Sequence, residues 1–477
     1  MTVSSIKVQP AGYSGMPAVQ RQELRGNRTI FFCLAVLHGL VCRLLQEYLF
    51  APADVWDYMG VIWYDAPLWR EILALGMAAL PALFVPMRVT RAGDLAILIL
   101  YGILYVPTVA MQPNLSLSSL PSQLTYTIIS LAGLALLCWM TRIRIDQARP
   151  VGGLRPKTFD MILYASAIVT LVMYGLFSPA RNLVLDLSVL YESRADFFSS
   201  ASQMPMFMNY LFVNSSLSLA PLMVARGLYH RQWSMVGLAL LLAYMTFVTT
   251  SLRSMLFSVA FVGAVTILTM WKRPPAVSLF AFFLGIAAVC VGLDAILPEP
   301  LPTFSYGLHY RLFGNAALLS DAYHSYFDGA PKIYLSQSFL SPFLESPLWA
   351  PYQLLVGEAV TDVPGNHANG NFVADAFANG GYVGVLLAYG LLGGIILFYQ
   401  RLAARKHLRV AALGLVGPAF YLTNAGVHSA ILSGGVIASL ILITIYPVIG
   451  TDSPPVHAKP ASKHSDQVRR TMRRNSI

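Results

Sequence analysis

Charge is scarce in this chain: only 11% of its 477 residues are Asp, Glu, Lys or Arg, against about 25% in a soluble globular domain. Water is thereby excluded as the solvent for most of it. Cysteine is scarcer still, and the four present, Cys33, Cys42, Cys138 and Cys290, fall inside apolar runs without metal-ligand spacing. They read as small buried hydrophobes, and no disulfide framework is implied. Also absent are the glycine-rich phosphate loop, the dinucleotide fingerprint, His-Glu-x-x-His and the Gly-x-Ser-x-Gly elbow. Their absence argues against ATP-driven or zinc-dependent chemistry, and no cofactor or metal is expected. The net charge of +10 does not point to nucleic acid, because the basic residues lie in short clusters between apolar runs rather than on one face.

What the chain has in abundance is apolar sequence, 56% by composition. Runs of about 20 residues, the length that crosses a bilayer, recur almost end to end. Twelve are expected as helices: 29–50, 68–87, 95–111, 122–140, 159–178, 206–225, 234–250, 254–270, 277–296, 382–400, 410–426 and 430–449. The fold class is therefore all-α, a polytopic membrane protein. The first run, which carries His38, Arg43 and Glu47, and the last two, joined by the short turn Val427-His428-Ser429, are the least regular of the twelve. Residues 1–28 read as a polar tail before an uncleaved first span, residues 29–450 as one membrane domain, and residues 451–477 as a basic disordered tail.

The distribution of charge orients these runs. With the amino terminus on the cytoplasmic side, 25 of the 32 Lys and Arg residues fall on that side and 6 on the other, with Arg43 inside a span. Such a split is a strong positive-inside signal and places both termini in the cytoplasm. About 16 of the 22 acidic residues lie on or near the opposite face. Trp56, Tyr58, Trp63, Tyr64 and Trp69 cluster where headgroups would lie, as an interfacial belt does. Two outer segments exceed a turn: residues 179–205, and residues 297–381, about 85 residues long, for which an ordered functional segment is expected. Within the second, Tyr310 to Phe327 has near-helical apolar spacing and Pro342 to Pro351 is rich in turn residues. Residues 364–371 cannot continue a span, and a helix is expected to start near Asn371 and stop at Asn379-Gly380-Gly381.

Chemistry is expected at the outer boundary. Arg194, Arg253 and Arg311 sit where insertion energetics gains nothing from them, and guanidinium suits bidentate contact with phosphate oxygens. Each also has an ordinary reading, as a snorkelling side chain or a partner for a nearby acid. In the long segment His309, His324 and His367, with Glu345, Glu358 and Asp375, supply candidates for a general base, and spacing does not choose among them. Inside the spans Asn214, Asp294, Asn424 and His428 read first as interhelical glue, and Gly393-Gly394 and Gly434-Gly435 as close-packing sites.

Tyr191 to Phe197, Tyr310 to Phe327 and Asn366 to Gly384 resemble, in order and layout, the bacterial O-antigen and oligosaccharide repeat-unit polymerases. The shared features are a Tyr-x-x-Arg segment before a central span and a basic residue opening a middle span. A long outer segment then runs from Asn369-Gly370-Asn371 into Gly380-Gly381-Tyr382-Val383-Gly384. The chain departs from that family in having only Arg311 and Lys332 as basic residues of the long segment. The resemblance implies a GT-C-like architecture in the bacterial inner membrane and metal-independent glycosyl transfer on its periplasmic side. Its substrates would be undecaprenyl-pyrophosphate-linked glycans, and its further partners membrane lipids and a chain-length regulator protein. Arg194, Arg253 and Arg311 would hold the leaving pyrophosphate, with His309 and His367 as candidates for the base. Tyr191, Glu192, Tyr310, Asn366, Asn369 and Asn371 would meet the glycan. The related O-antigen ligases share the layout. A transporter of lipid-linked sugars is the alternative from another class, although neither internal repeats nor broken helices are visible in the sequence. A noncatalytic partner of an envelope assembly complex is a third reading.

Overall fold

The computed structural model describes residues 18–52, 63–115, 118–143, 152–177, 206–250, 253–297, 303–338, 340–361 and 363–449. Helix is the dominant structure, and among the described residues nine helices are long and apolar enough to cross a membrane. Helix α1 is Ala18–Leu45, extended by a π turn, Gln46–Phe50. It begins about one helical segment earlier than the apolar run alone implies, inside the expected polar tail. Helix α2, Leu68–Ala79, ends in a 3-10 turn, Leu80–Leu83, and α3 runs from Asp94 to Leu115 through a π segment. Then come α4, Leu120–Thr141, α5, Pro156–Phe177, and α6, built from Met206–Asn214, a π turn and Ala220–His230. Helices α7, Trp233–Thr250, α8, Arg253–Met270, and α9, Pro275–Ile296, follow.

Of the twelve expected spans, 68–87, 254–270 and 410–426 are the three not represented among the nine. The first is cut short by its 3-10 turn, the second is a shorter apolar helix, and the third is broken. The end of the bundle that carries Phe50, Leu115, Leu120 and Ile296 is called upper here, and the end with Asp94, Thr141 and Pro275 lower.

Basic residues lace the lower end to backbone carbonyls. Arg28 Nη1 donates to Ala82 O and Val85 O at 2.7 and 2.9 Å, Arg91 to Thr141 O, and Arg142 to Phe84 O. Several of these oxygens belong to helix ends, whose last carbonyls have no partner within the helix and carry the negative end of the macrodipole. Arg226 Nε donates to Asp160 Oδ1 at 2.6 Å and its Nη1 to Tyr446 Oη at 2.9 Å.

The upper end explains how a charged first span is tolerated. Arg43 Nη2 lies 2.5 Å from Glu71 Oε1 and 3.1 Å from Glu47 Oε2, and Asn114 Nδ2 donates to the same Glu71 oxygen at 3.1 Å. Glu71 on α2, far away in sequence, and Glu47 four residues on neutralise the arginine that made α1 irregular, and Asn114 of α3 holds Glu71 in place. Removing one member of such a pair strands the other, at about 3–5 kcal/mol. Arg43→Met is therefore expected to lower the melting temperature of the purified protein, and Arg43→Met with Glu71→Leu to recover most of the loss. An unchanged melt in the single variant would show that the pair contributes nothing.

The long segment 297–381 is not an external cap. Residues Ser305–Gly314 form a π helix that continues into Asn315–Gly329, and together they make α10. Its start is tied to the top of α9, where Asp294 accepts from Phe304 N and Ser305 N, both at 2.8 Å. Phe313 then packs at 4.7 Å from His38 and 5.3 Å from Phe283, roughly 16 Å below Asp294 along α9 at 1.5 Å per residue. By Ser325 and Asp328 the chain is back at the upper start of α4, bonded to Ser118 and Ser122. Both ends of α10 are thus at the top and its middle is sunk among the spans. A turn-rich stretch and α11, Tyr352–Thr361, follow.

Helix α12, Phe372–Leu402, contains non-helical Gly380 and Gly381. Seventeen residues of straight helix would separate Phe372 from Tyr389 by about 25 Å, yet their ring centroids are 4.9 Å apart. The chain therefore doubles back: a half-helix, 372–379, lies antiparallel against 382–402. Gly381 has φ +58 and ψ −146, a conformation available essentially to glycine. The half-helix is closed by a separate segment, since Ile333 N and Tyr334 N donate to Ala378 O and Asn379 O, both at 3.0 Å. Lys332, counted in sequence among the outer cations, turns to the carbonyls of Phe327 and Ala330 and lies over the Phe377 ring.

The last part of the chain is four short helices: α13, Leu408–Leu413, α14, Val416–Tyr421, α15, Val427–Leu432, and α16, Val436–Ile445. Gly435 breaks α15 from α16 with φ +91. Gly434 and Gly435 are close-packing sites as the sequence suggests, against Tyr421 and against Leu217 and Ser218, and Gly393 meets Met140, but Gly394 faces open space. Broken helices, which hydropathy did not disclose, are thus a main feature of the bundle.

Candidate functional site

The half-helix 372–379 sets up a polar constellation in the described interior. Asn371 opens it as N-cap, its Oδ1 accepting from Val373 N and Ala374 N at 3.0 and 3.1 Å. Two free backbone donors of the helix start are satisfied this way. The Asn371 Nδ2 donates to Ser320 Oγ at 2.6 Å and Ala316 O at 3.0 Å, which locks the half-helix to the middle of α10. Phe372 N donates to Leu422 O at 3.0 Å, so the gap between α14 and α15 is held against the same helix start.

Asp375, in the first turn, is 6% exposed. Its Oδ1 accepts from Tyr352 Oη at 2.5 Å, and its Oδ2 lies 3.5 Å from His428 Nδ1. Gly426 packs directly on the carboxylate, where a Cβ would come within 2.3 Å of Oδ2. The side chain of His428 is 22% exposed, and its Nε2 is the ring nitrogen on the far side from Asp375. A buried carboxylate that holds one ring nitrogen fixes the tautomer and leaves the other nitrogen to accept a proton. Asp375 lies five residues below Gly380, or about 7–8 Å from the upper end.

A second polar group caps the top of the hairpin. Ser122 Oγ donates to Asp328 Oδ2 at 2.9 Å and lies 3.3 Å from His324 Nε2, with Tyr382 Oη 3.4 Å away. Tyr126 packs on the imidazole at 4.5 Å. Burial pushes the His324 pKa from 6.5 down to about 4, with Asp328 opposing the shift and Lys332 reinforcing it. A histidine held neutral in the fold but protonated in the unfolded chain makes stability rise with pH across that window. The unfolding free energy is expected to fall as pH drops from 6.5 towards 4, by up to about 1.4 kcal/mol per pH unit, and is read as a lowered melting temperature. His324→Gln should flatten that slope, and an unaltered slope would remove the assignment.

No family model, no curated protein and no solved structure matches the chain. The site is therefore read from its own geometry.

The residues singled out in the sequence fall into separate places. Tyr191, Glu192 and Arg194 lie outside the described residues, as do Trp56, Tyr58 and the tails 1–17 and 450–477. Arg253 opens α8, but its side chain lies outside the described set. Arg311 is exposed, with its guanidinium 5.1 Å from the Tyr306 ring. His309 is buried between Phe50 and Phe313, with neither ring nitrogen bonded, and Tyr310 packs against Phe50 at 5.1 Å. Neither joins the Asp375 group: both sit on the π-helical start of α10 against Phe50, whereas Ala316 and Ser320, further along the same helix, meet Asn371. His367 and Asn369 are exposed, and Asn366 donates to Thr361 Oγ1 at 3.0 Å. These three precede Asn371, which among the described residues is the one glycan-site residue of the sequence reading that sits beside Asp375.

Sequence reasoning named Asp375 only as one of several acids and placed His428 among the interhelical glue. The signal that could have joined them was the pair of glycine-bounded breaks, Gly380-Gly381 and Gly426, which bring a chain start and a helix start to one depth.

Proposed function

We propose that the chain is a polymerase-type glycosyltransferase of the bacterial inner membrane that joins polyprenyl-pyrophosphate-linked oligosaccharide units at the upper end of the bundle. The positive-inside split supports reading that end as the periplasmic one. The observation that carries the reading is the Tyr352–Asp375–His428 group, a carboxylate-oriented imidazole whose Asp375 lies within two helical turns of the Gly380-Gly381 break.

In this reaction the acceptor sugar hydroxyl approaches His428 Nε2. As its oxygen bonds to the anomeric carbon of the donor, the bond from that carbon to the pyrophosphate oxygen breaks and the hydroxyl proton passes to the imidazole. Asp375 stabilises the imidazolium, and Tyr352 holds Asp375 in place. The diphosphate leaves with an added negative charge; the resemblance to the repeat-unit polymerases assigns its neutralisation to the guanidinium groups of Arg194, Arg253 and Arg311, of which Arg311 lies at the start of α10, apart from the Asp375 group. Because the attack comes from the side opposite the leaving group, the anomeric centre inverts.

Arg253→Ala and Arg311→Ala are each expected to leave protein in the membrane at wild-type level and to abolish chain extension, read as loss of the polymer ladder. Full-length polymer from both variants would remove the arginines from the mechanism.

A second reading, transport of lipid-linked sugars, is favoured by the doubled-back half-helix and the four-piece carboxyl region, since discontinuous helices build transporter sites. The material that accumulates without the protein separates the two. Single lipid-linked units on the periplasmic face support polymerisation; the same units confined to the cytoplasmic face support transport.

A further inference from the structure

Between α10 and α11 the chain makes a loop with the wrong side chains for water. Phe343 and Trp349 are 82% and 83% exposed, and Tyr334 and Leu344 are exposed near them in the chain. Residues 333–351 hold one charged residue, the exposed Glu345, and no Lys or Arg falls between Lys332 and Arg401. A cluster of large apolar rings left outside marks a surface that something apolar covers.

The outward placement is fixed by the backbone. Gln337 closes the neck: its Nε2 donates to Ser346 Oγ at 2.8 Å and to Ala350 O at 2.9 Å, and its Oε1 accepts from Tyr352 N at 2.9 Å. Ser346 Oγ also accepts from Leu348 N at 3.1 Å, and Pro342, Pro347 and Pro351 each fix one φ. Tyr334 and Leu335 have φ +47 and +64, a left-handed pair that is costly without glycine. Asn379 Oδ1 holds it by accepting from Leu335 N at 2.8 Å. A loop braced at so many points keeps its rings outside.

Its neighbours decide what covers it. The neck is bonded to Ala378 and Asn379 at the top of the hairpin. Tyr382, just past the break, lies 3.4 Å from Ser122 at the upper start of the spanning helix α4. A Cβ on Gly381 would come within 3.3 Å of Lys332, and two residues on begins a stripe of exposed Val383, Leu387, Leu391 and Phe398 down one side of α12. Exposed aliphatic residues on a spanning helix face hydrocarbon, so the neck stands at the lipid rim of the bundle. Trp349 is three residues from Tyr352, at most about 10 Å of chain, and Tyr352 reaches down to Asp375. The indole is thus tethered near the headgroup layer, which is about 5–8 Å deep on each side of the hydrocarbon. Trp and Tyr favour that layer, where one part of the ring is wet and the rest is in lipid.

We infer that the loop 340–350 is an interfacial anchor: Phe343 and Trp349 insert into the headgroup region of the phospholipid leaflet at the upper end. Because Gln337 ties the loop to Tyr352, the anchor also sets the depth of Tyr352 and Asp375, whatever reaction they serve. With no cation in the loop, the contact needs no anionic lipid, and phosphatidylcholine alone suffices.

The test is fluorescence quenching of the full-length protein in phosphatidylcholine nanodiscs holding one copy each. The signal of Trp349 is the wild type minus Trp349→Phe. Lipid brominated near the glycerol end of its acyl chains should quench that signal about twofold more than lipid brominated near the methyl end, as headgroup depth requires. Aqueous iodide should quench it far less than it quenches free tryptophan. Phe343→Trp in the Trp349→Phe background should give the same pattern, and both variants should melt as the wild type does, since neither ring is packed. Full quenching by iodide with none by bromolipid would overturn the anchor and leave the loop as a docking face for a protein in the aqueous phase. Shielding from both quenchers in single-copy discs would overturn it in favour of burial against the chain itself, and shielding seen only in discs with two copies would give the loop to a second copy.

Discussion

Replacing His428 by Ala is expected to lower chain extension by about a thousandfold, within the range that a positioned general base contributes, while the protein stays in the membrane. His428 occupies the first turn of α15 with its side chain partly open, so shortening it removes a proton acceptor and little packing. Asp375→Asn should come close to the same loss: the amide keeps the shape of the carboxylate but neither stabilises the imidazolium nor enforces the Nδ1–H tautomer. Tyr352→Phe acts one bond further out and is expected to cost about tenfold, the worth of one hydrogen bond to a charged group. The measurement is polymer length on a gel, paired with extension of a purified lipid-linked unit by purified protein. Normal polymer from His428→Ala would end the base assignment, whatever the other two variants do.

The second large effect concerns the fold of the hairpin. A Cβ on Gly384 would meet the backbone oxygen of Ala376 at 2.3 Å, and backbone in a packed half-helix has no room to retreat. Gly384→Ala is expected to reach or pass the top of the roughly 1–3 kcal/mol range for overpacking, and to separate 372–379 from 382–402. Because Asp375 rides on the displaced half, activity falls with stability. Gly394→Ala on the same helix faces open space and serves as the contrast, expected to leave the melt unchanged or slightly raised through its better helix propensity. Equal melting of the two variants in detergent would contradict the doubled-back arrangement of α12.

Membrane helices and their punctuation were legible in the sequence because each rests on local physics. Asn371 is a helix-start residue and caps one, and Gly380-Gly381 is a breaking pair and breaks one. The turn-rich stretch from Pro342 to Pro351 folds as turns. Depth was not legible. A segment with as many Asp, Asn and His residues as 303–379 reads as lying outside the bundle, and only the contacts of Phe313 with His38 and Phe283 reveal that it dips inside. The polar groups it brings down find partners that sequence distance hides, such as Asn371 with Ser320 and Asp375 with His428. The same distance made Arg43 look like a fault in α1, when its partner Glu71 lies on the next helix. Hydropathy windows also merge short helices joined end to end, so 410–449 looked like two plain spans.

The cations of the basic rim have a double duty. Arg28, Arg91 and Arg142 belong to the population whose bias, on the positive-inside reading, would orient the chain as it enters the bilayer, and they clamp backbone oxygens of the bundle. Orientation and rigidity therefore share the same few side chains. An engineer who neutralised them to invert the protein would also unfasten its floor, and a fusion reporter that scored only sidedness would miss the damage.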